Sequence, residues 1–183
     1  MNRTAMAKKV AETFKEAYDF SSVQIQIPED LANEIYQWGL DNIPDTDLCP
    51  TEKGRETDIH ITLKYGLHNF DFTEVRNILG GKGPINIELG PMSLFNSDNY
   101  DVLKIDIISS DLHRLNKQIC KGMEYTDTFP KYKPHLTLAY LNKGAGDKFV
   151  GNKDFKGRKM RLDSVLFSGH DNRRTMIKLS TIR

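Results

Sequence analysis

The segment His60-Ile61-Thr62-Leu63-Lys64-Tyr65 returns about 75 residues later as His135-Leu136-Thr137-Leu138-Ala139-Tyr140, and its surroundings return with it. Ile25-Gln26-Ile27 leads into a helical pattern, as Ile105-Asp106-Ile107 does. Leu94-Phe95-Asn96-Ser97 precedes a turn and a strand, as Leu166-Phe167-Ser168-Gly169 does. Unequal loops account for the drift in spacing. One unit used twice restricts the chain to folds in which two copies pack about a pseudo-twofold axis. The expectation is an α+β, duplicated bilobal fold: two antiparallel sheets flanking a central cleft, with helices on their outer faces. At 183 residues the two lobes form a single domain, 1–183.

Local patterns supply the elements. Residues 4–18 place Met6, Val10, Phe14 and Ala17 at helical spacing, which predicts an N-terminal helical extension within 1–20. Ser22 to Ile27 alternates with period two, the mark of a strand with one buried face. Pro28 beside Glu29 and Asp30 suits a helix start, and Leu31, Ile35, Trp38 and Leu40 give that helix its apolar stripe. Residues 42–57 are rich in charge, proline and glycine, and form a loop long enough to suspect a function. Further strands are expected at 58–67, 84–95, 100–108, 135–141, 161–168 and 175–181, and helices at 71–79 and 110–123.

The repeated motif carries the chemistry. Residues i and i+2 of a strand point to one face. His60 and Thr62 therefore share a face, as do His135 and Thr137. By the same parity Ile61, Leu63 and Tyr65, with Leu136, Leu138 and Tyr140, face the core. Two histidines flanking one phosphate can divide acid and base work, because imidazole titrates near neutrality. Threonine hydroxyls beside them can donate to the non-bridging oxygens where charge develops. The phosphate is the only electrophile this chemistry needs, so no metal and no cofactor is expected.

These residues resemble the two-histidine (2H) phosphoesterase superfamily, whose mark is His-x-Thr-hydrophobic twice. The flanks are more particular. Gly54-Arg55-Glu56-Thr57-Asp58-Ile59-His60-Ile61-Thr62-Leu63-Lys64-Tyr65-Gly66-Leu67-His68 and Phe129-Pro130-Lys131-Tyr132-Lys133-Pro134-His135-Leu136-Thr137-Leu138-Ala139-Tyr140 look like the two motifs of the phage anti-CBASS nucleases. That resemblance implies cleavage of 3′–5′ bonds in cyclic di- and trinucleotide messengers, with the ribose 2′-hydroxyl attacking, in the cytoplasm of an infected bacterium. It implies His60, Thr62, His135 and Thr137 as catalytic, and a ligand contact at Lys131. The family also clamps a base with an aromatic side chain. The match does not place that residue, and the only tryptophan, Trp38, falls in a predicted helix.

Other candidates carry less. Lys64 continues the His60 and Thr62 face by period two and would line the cleft edge, and Tyr132 is positioned to stack on a base. Lys133 belongs to the same basic stretch as Lys131. His68, His113 and His170 have no partner at a telling spacing, and Asp98, Asp101 and Asp106 assemble no metal site. Cys49 and Cys120 lack any zinc or disulfide spacing, which fits a reducing cytosol. The N-terminus has no apolar signal region, and no run reaches the roughly 20 apolar residues of a membrane span. The 26 basic and 25 acidic residues leave a net charge of +1, which suits a small ligand better than long nucleic acid. Two alternatives use the same face: an enzyme acting on RNA 2′,3′-cyclic phosphates or 2′–5′ bonds, and a module that binds a cyclic nucleotide without cutting it.

Overall fold

The computed structural model describes residues 20–126, 131–171 and 173–180, so the expected helix at 4–18 lies outside the described residues. The elements run β1 (Ser21–Gln26), α1 (Glu29–Asn42), β2 (His60–Leu67), α2 (Thr73–Leu79), β3 (Ile85–Asn96), β4 (Tyr100–Ile108), α3 (Ser110–Gly122), β5 (His135–Asn142), β6 (Lys159–Leu162), β7 (Ser164–Ser168) and β8 (Arg174–Lys178). Each follows from its pattern. In α3 the Ser109 hydroxyl accepts from the Leu112 amide, capping the start, while Leu112, Leu115 and Ile119 bury one stripe. Helix α1 begins with Glu29 and Asp30 in its first turn, where its dipole favours negative charge.

The strands form one antiparallel sheet in the order β6-β3-β4-β5-β2-β1-β7-β8. The two separate sheets expected from the duplication are therefore fused. The pseudo-twofold axis runs between β5 and β2 and equates β1 with β4, β2 with β5, β7 with β3, and β8 with β6. Fusion has a backbone cause. The two motif strands pair with each other at Ile61 and Leu136, which leaves no gap between two sheets. The sheet is curled, and its ends approach: only Asp163 separates β6 from β7, and the Gly83 amide before β3 donates to the Leu179 carbonyl after β8 at 3.0 Å. Here the expected strand 161–168 divides. Residues up to Leu162 pair with β3, and residues from Ser164 pair with β8 and, from Leu166, also with β1. A single hydrophobic core results, drawing Ile25, Ile61 and Leu63 from one half and Ile105, Leu136 and Leu138 from the other.

Both motif strands carry a bulge at the same place. Thr62 pairs with Gln24 and Lys64 with Val23, leaving Leu63 extra; Thr137 pairs with Lys104 and Ala139 with Leu103, leaving Leu138 extra. An inserted residue reverses the alternation beyond it. Tyr65 and Tyr140, expected in the core, are thereby turned outward: Tyr65 is 46% exposed, and Tyr140 is half-buried. Lys64 moves the other way. Expected on the His60 face, it is buried, with its ammonium 3.7 Å from the centre of the Tyr125 ring.

The motif strands overlap only at their first residues, and each is then continued by the segment that precedes the other. Arg55 bridges to Ala139, and Tyr125 bridges to Leu67. The Glu56 amide donates to the Leu138 carbonyl and the Thr126 amide to the Gly66 carbonyl. The long loop before β2 is thus part of the sheet. Arg55 anchors it, donating to Asp45 and to the carbonyls of Gly39 and Ile43 near the end of α1. Gly66 is required in this ladder, since its φ is +85° and a Cβ there would lie 2.1 Å from the Thr126 carbonyl oxygen. Gly66→Ala is expected to destabilise the fold by roughly 1–3 kcal/mol or more, from backbone strain plus the clash, measured by urea denaturation.

Candidate active site

The pairing of Ile61 with Leu136 decides the site. Continued one residue in each direction, that register sets His60 opposite Thr137 and Thr62 opposite His135. All four then lie on one face, and the histidines are diagonal neighbours, about 7–8 Å apart at the backbone. The four predicted catalytic residues are brought together on adjacent strands of one sheet, rather than facing each other across two.

Each imidazole is fixed in the same way. His60 Nδ1 lies 2.5 Å from the Asp58 carbonyl oxygen, and His135 Nδ1 lies 2.7 Å from the Lys133 carbonyl oxygen. A carbonyl only accepts, so Nδ1 carries the proton in each ring. Nε2 of each neutral ring is then left as the free base, turned away from the backbone that holds Nδ1. Both carbonyls come from position i−2, so the geometry is written into the strand itself.

The neighbours of the two histidines differ. Beside His135 on β4 stand Lys104 and Asp106, in register with Thr137 and His135. The Lys104 ammonium is buried, donates to Ser93 Oγ at 2.6 Å, and is ion-paired with Asp106. Asp106 also accepts from Ser93 at 2.8 Å. Phe95 meets the His135 ring edge to face at 4.8 Å, with Lys104 Nζ 4.4 Å from its own centre. Beside His60 on β1 stand Gln24 and Gln26, in register with Thr62 and His60. Gln24 Oε1 and Gln26 Nε2 are buried atoms without a hydrogen-bond partner among the described residues. The Asp58 carboxylate lies 3.9 Å from His60 Nδ1 and accepts from Arg174 at 2.8 Å.

Burial pushes the His135 imidazole below its ordinary pKa. Lys104 and His60 add to the lowering, while the Lys133 carbonyl and Asp106 oppose it. The neutral form of His135 is thereby favoured.

The predicted binding residues are dispersed. Lys131 is exposed, and Lys133 holds its ammonium 5.9 Å from the Phe95 ring centre. The Tyr132 ring packs on the core and stands edge-on to His113 at 5.4 Å. Its hydroxyl donates to the Thr62 carbonyl at 3.1 Å. Burial raises its phenol well above the usual range. The ring is occupied in holding the motif strand. Lys64 points away from the face. His68 reaches Thr126, and His170 lies against Phe70; neither joins the site.

Sequence reasoning missed Lys104, Ser93, Phe95 and the catalytic-face position of Asp106. The signal was present, since Lys104 and Asp106 alternate with Leu103, Ile105 and Ile107 as Gln24 and Gln26 alternate with Val23, Ile25 and Ile27. Phe95 was hidden by a slip. Leu94 and Leu166 match as letters, but Ser93 pairs with Lys104 where Leu166 pairs with Gln24. The true correspondence is one residue off, so Phe95 stands on the site face while Phe167 is buried.

The model of the family described as the 2′-5′ RNA ligase superfamily matches residues 27–150, which include both His-x-Thr pairs. No curated protein matches the chain. Among solved structures, TT0787 of Thermus thermophilus is similar with a TM-score of 0.64 and 14% identity, over 90% of this chain and 100% of that one. E. coli LigT in its apo form gives 0.59 and 14%, over 88% and 94%. Kluyveromyces marxianus Usb1 with uridine monophosphate gives 0.51 and 8%, over 88% and 98%. At such identities the likeness is one of fold. Tyr132→Phe, which removes only the hydroxyl bound to Thr62, is expected to cost about 0.5–1.5 kcal/mol of stability by thermal denaturation, with the fold intact.

Proposed function

Because the chain belongs to the 2′-5′ RNA ligase superfamily of two-histidine phosphoesterases, we propose that it is a phosphodiesterase cleaving the 3′–5′ bonds of cyclic di- and trinucleotides, and so counteracts the CBASS antiviral signal. The observation that carries the reading is the union of His60, Thr62, His135 and Thr137 on one face through a single strand pairing. One imidazole takes the proton of the ribose 2′-hydroxyl. The 2′-oxygen attacks phosphorus, and the O2′–P bond forms as the P–O5′ bond breaks. The other imidazole, as imidazolium, gives its proton to the departing 5′-oxygen. The immediate products are a 2′,3′-cyclic phosphate and a 5′-hydroxyl. The threonine hydroxyls donate to the non-bridging oxygens as negative charge grows on them.

Several features favour a small cyclic substrate. The flanks of both motifs resemble the anti-CBASS nucleases, and the charge is nearly balanced. Aromatic rings stand on both sides of the histidines, Phe95 beside His135 and Tyr65 beyond the β2 bulge. Stacking on such rings is worth about 1–3 kcal/mol per base, and we assign Phe95 and Tyr65 to the two bases of the substrate. Lys131, exposed before β5, is assigned to a ligand phosphate on the motif resemblance alone.

A second reading has its own support. The family takes its name from 2′–5′ RNA ligation, and LigT has been solved with 3′-AMP, NADP+ and ATP. The same face would then open an RNA 2′,3′-cyclic phosphate.

Digestion of 3′,3′-cyclic GMP-AMP, cyclic triadenylate and 2′,3′-cyclic-ended RNA in EDTA, with products resolved by mass spectrometry, separates the two. Turnover of the cyclic messengers is expected to dominate. Preference for the RNA end would establish the second reading instead. His60→Ala and His135→Ala are each expected to lose about 10²–10⁴-fold in kcat. Full activity in both variants would overturn either version.

A further inference from the structure

The pseudo-twofold axis sets Lys104 against Gln24 and Asp106 against Gln26, so a charged pair on one side of the site answers two neutral amides on the other. We infer that this asymmetry gives the two histidines different work: His135 is the general base, His60 is the general acid, and the Lys104–Asp106 pair is the positioning device that keeps them so. The inference rests on the phosphodiesterase reading and adds the direction in which the bond is broken.

A base must rest without its proton. His135 is half-buried, edge-on to Phe95, and lies beside a buried ammonium. The groups facing it are Lys104 and Asp106 from β4, Phe95 from β3, His60 from β2, and the Lys133 carbonyl on its own chain segment. Of these, burial, Lys104 and a charged His60 all oppose protonation. An acid must rest with its proton. The groups facing His60 are the Asp58 carboxylate at 3.9 Å, which is itself bound to Arg174, together with Gln26 and His135. Of these, the Asp58 carboxylate, shared with Arg174, is the near charge, and its sign favours an imidazolium. The one proton shared between the two nearby rings is thus assigned to His60.

The step then has a direction. His135 Nε2 takes the 2′-hydroxyl proton, the O2′–P bond forms, the P–O5′ bond breaks, and His60 Nε2 delivers its proton to O5′. The attacking ribose lies toward β4 and the departing ribose toward β1. The ring protonation states end exchanged, and proton exchange with solvent restores them. Lys104 and Asp106 touch neither reacting oxygen in this scheme, since each is engaged with the other and with Ser93.

The test replaces the bridging 5′-oxygens of 3′,3′-cyclic GMP-AMP by sulfur. A thiolate leaves without a proton, so the acid becomes dispensable and the base does not. His60→Ala, down about 10²–10⁴-fold on the oxygen compound, is expected to fall within about tenfold of wild type on the sulfur compound. His135→Ala is expected to stay impaired on both. The reverse pattern, or no rescue of either variant, would overturn the assignment. Wild type inert on both compounds would instead overturn the substrate reading. In that case NMR titration of the two imidazoles decides the inference alone. Lys104→Gln is expected to move the His135 titration to higher pH and Asp106→Gln to move it to lower pH, while Gln24→Met leaves it in place. Opposite movements from the two members of one ion pair cannot come from a loss of packing. Movement in the same direction, or of His60 rather than His135, would sink the proposal, and the Asp106 variant keeps the test alive if Lys104→Gln fails to fold.

Discussion

One backbone pairing, between Ile61 and Leu136, holds the rest of the structure in place. It joins two four-stranded halves into one sheet and sets the pseudo-twofold axis. It also brings two histidines from distant parts of the chain to neighbouring positions. Both residues are fully buried, so the apolar side of the pair is sealed under the helices while its polar side presents the site. The two functions of these short strands are inseparable. A register shift of one residue would send both imidazoles into the core and both apolar side chains out.

Symmetry supplies the geometry of the site, and its breaking gives the two rings different surroundings. The shared part is extensive: the His-x-Thr pair, the bulge after it, the i−2 carbonyl on each Nδ1, and the preceding segment that continues the opposite strand. A strictly symmetric site would hold two equivalent imidazoles and would bind a substrate equally well in either sense. Charge is distributed otherwise. Lys104 and Asp106 crowd one ring, while Asp58 and Arg174 serve the other from the strand end and from β8.

Much of this could be read from the letters, and the failures have identifiable causes. Period-two alternation located β1, β4 and β5 to within a residue, and the motif pairs fell on one face because both precede their bulges. Past the bulge parity failed, which is why Tyr65, Tyr140 and Lys64 were assigned to the wrong sides. A bulge costs one residue and leaves no mark in composition. The separation of 161–168 into β6 and β7 was likewise invisible, because Asp163 looks like any polar strand residue and only the partners, β3 before it and β8 and β1 after it, reveal the change. The Lys104–Asp106 pair escaped notice for a different reason. Polar residues alternating in a strand ordinarily mean a solvated face, and only burial shows that this lysine is withdrawn from water.

Strand order also has a consequence for how the molecule comes into being. β1 is flanked by β2, some 40 residues on, and by β7, near the opposite end of the chain. During synthesis the N-terminal half therefore emerges with one margin of β1 uncovered until residues 166–168 leave the ribosome. Neither repeat is a free-standing ancestor of the other in its present form. Each half of the sheet includes a strand from the other repeat, β7 in one and β3 in the other, so a nascent chain halted between the repeats would leave that margin of β1 uncovered.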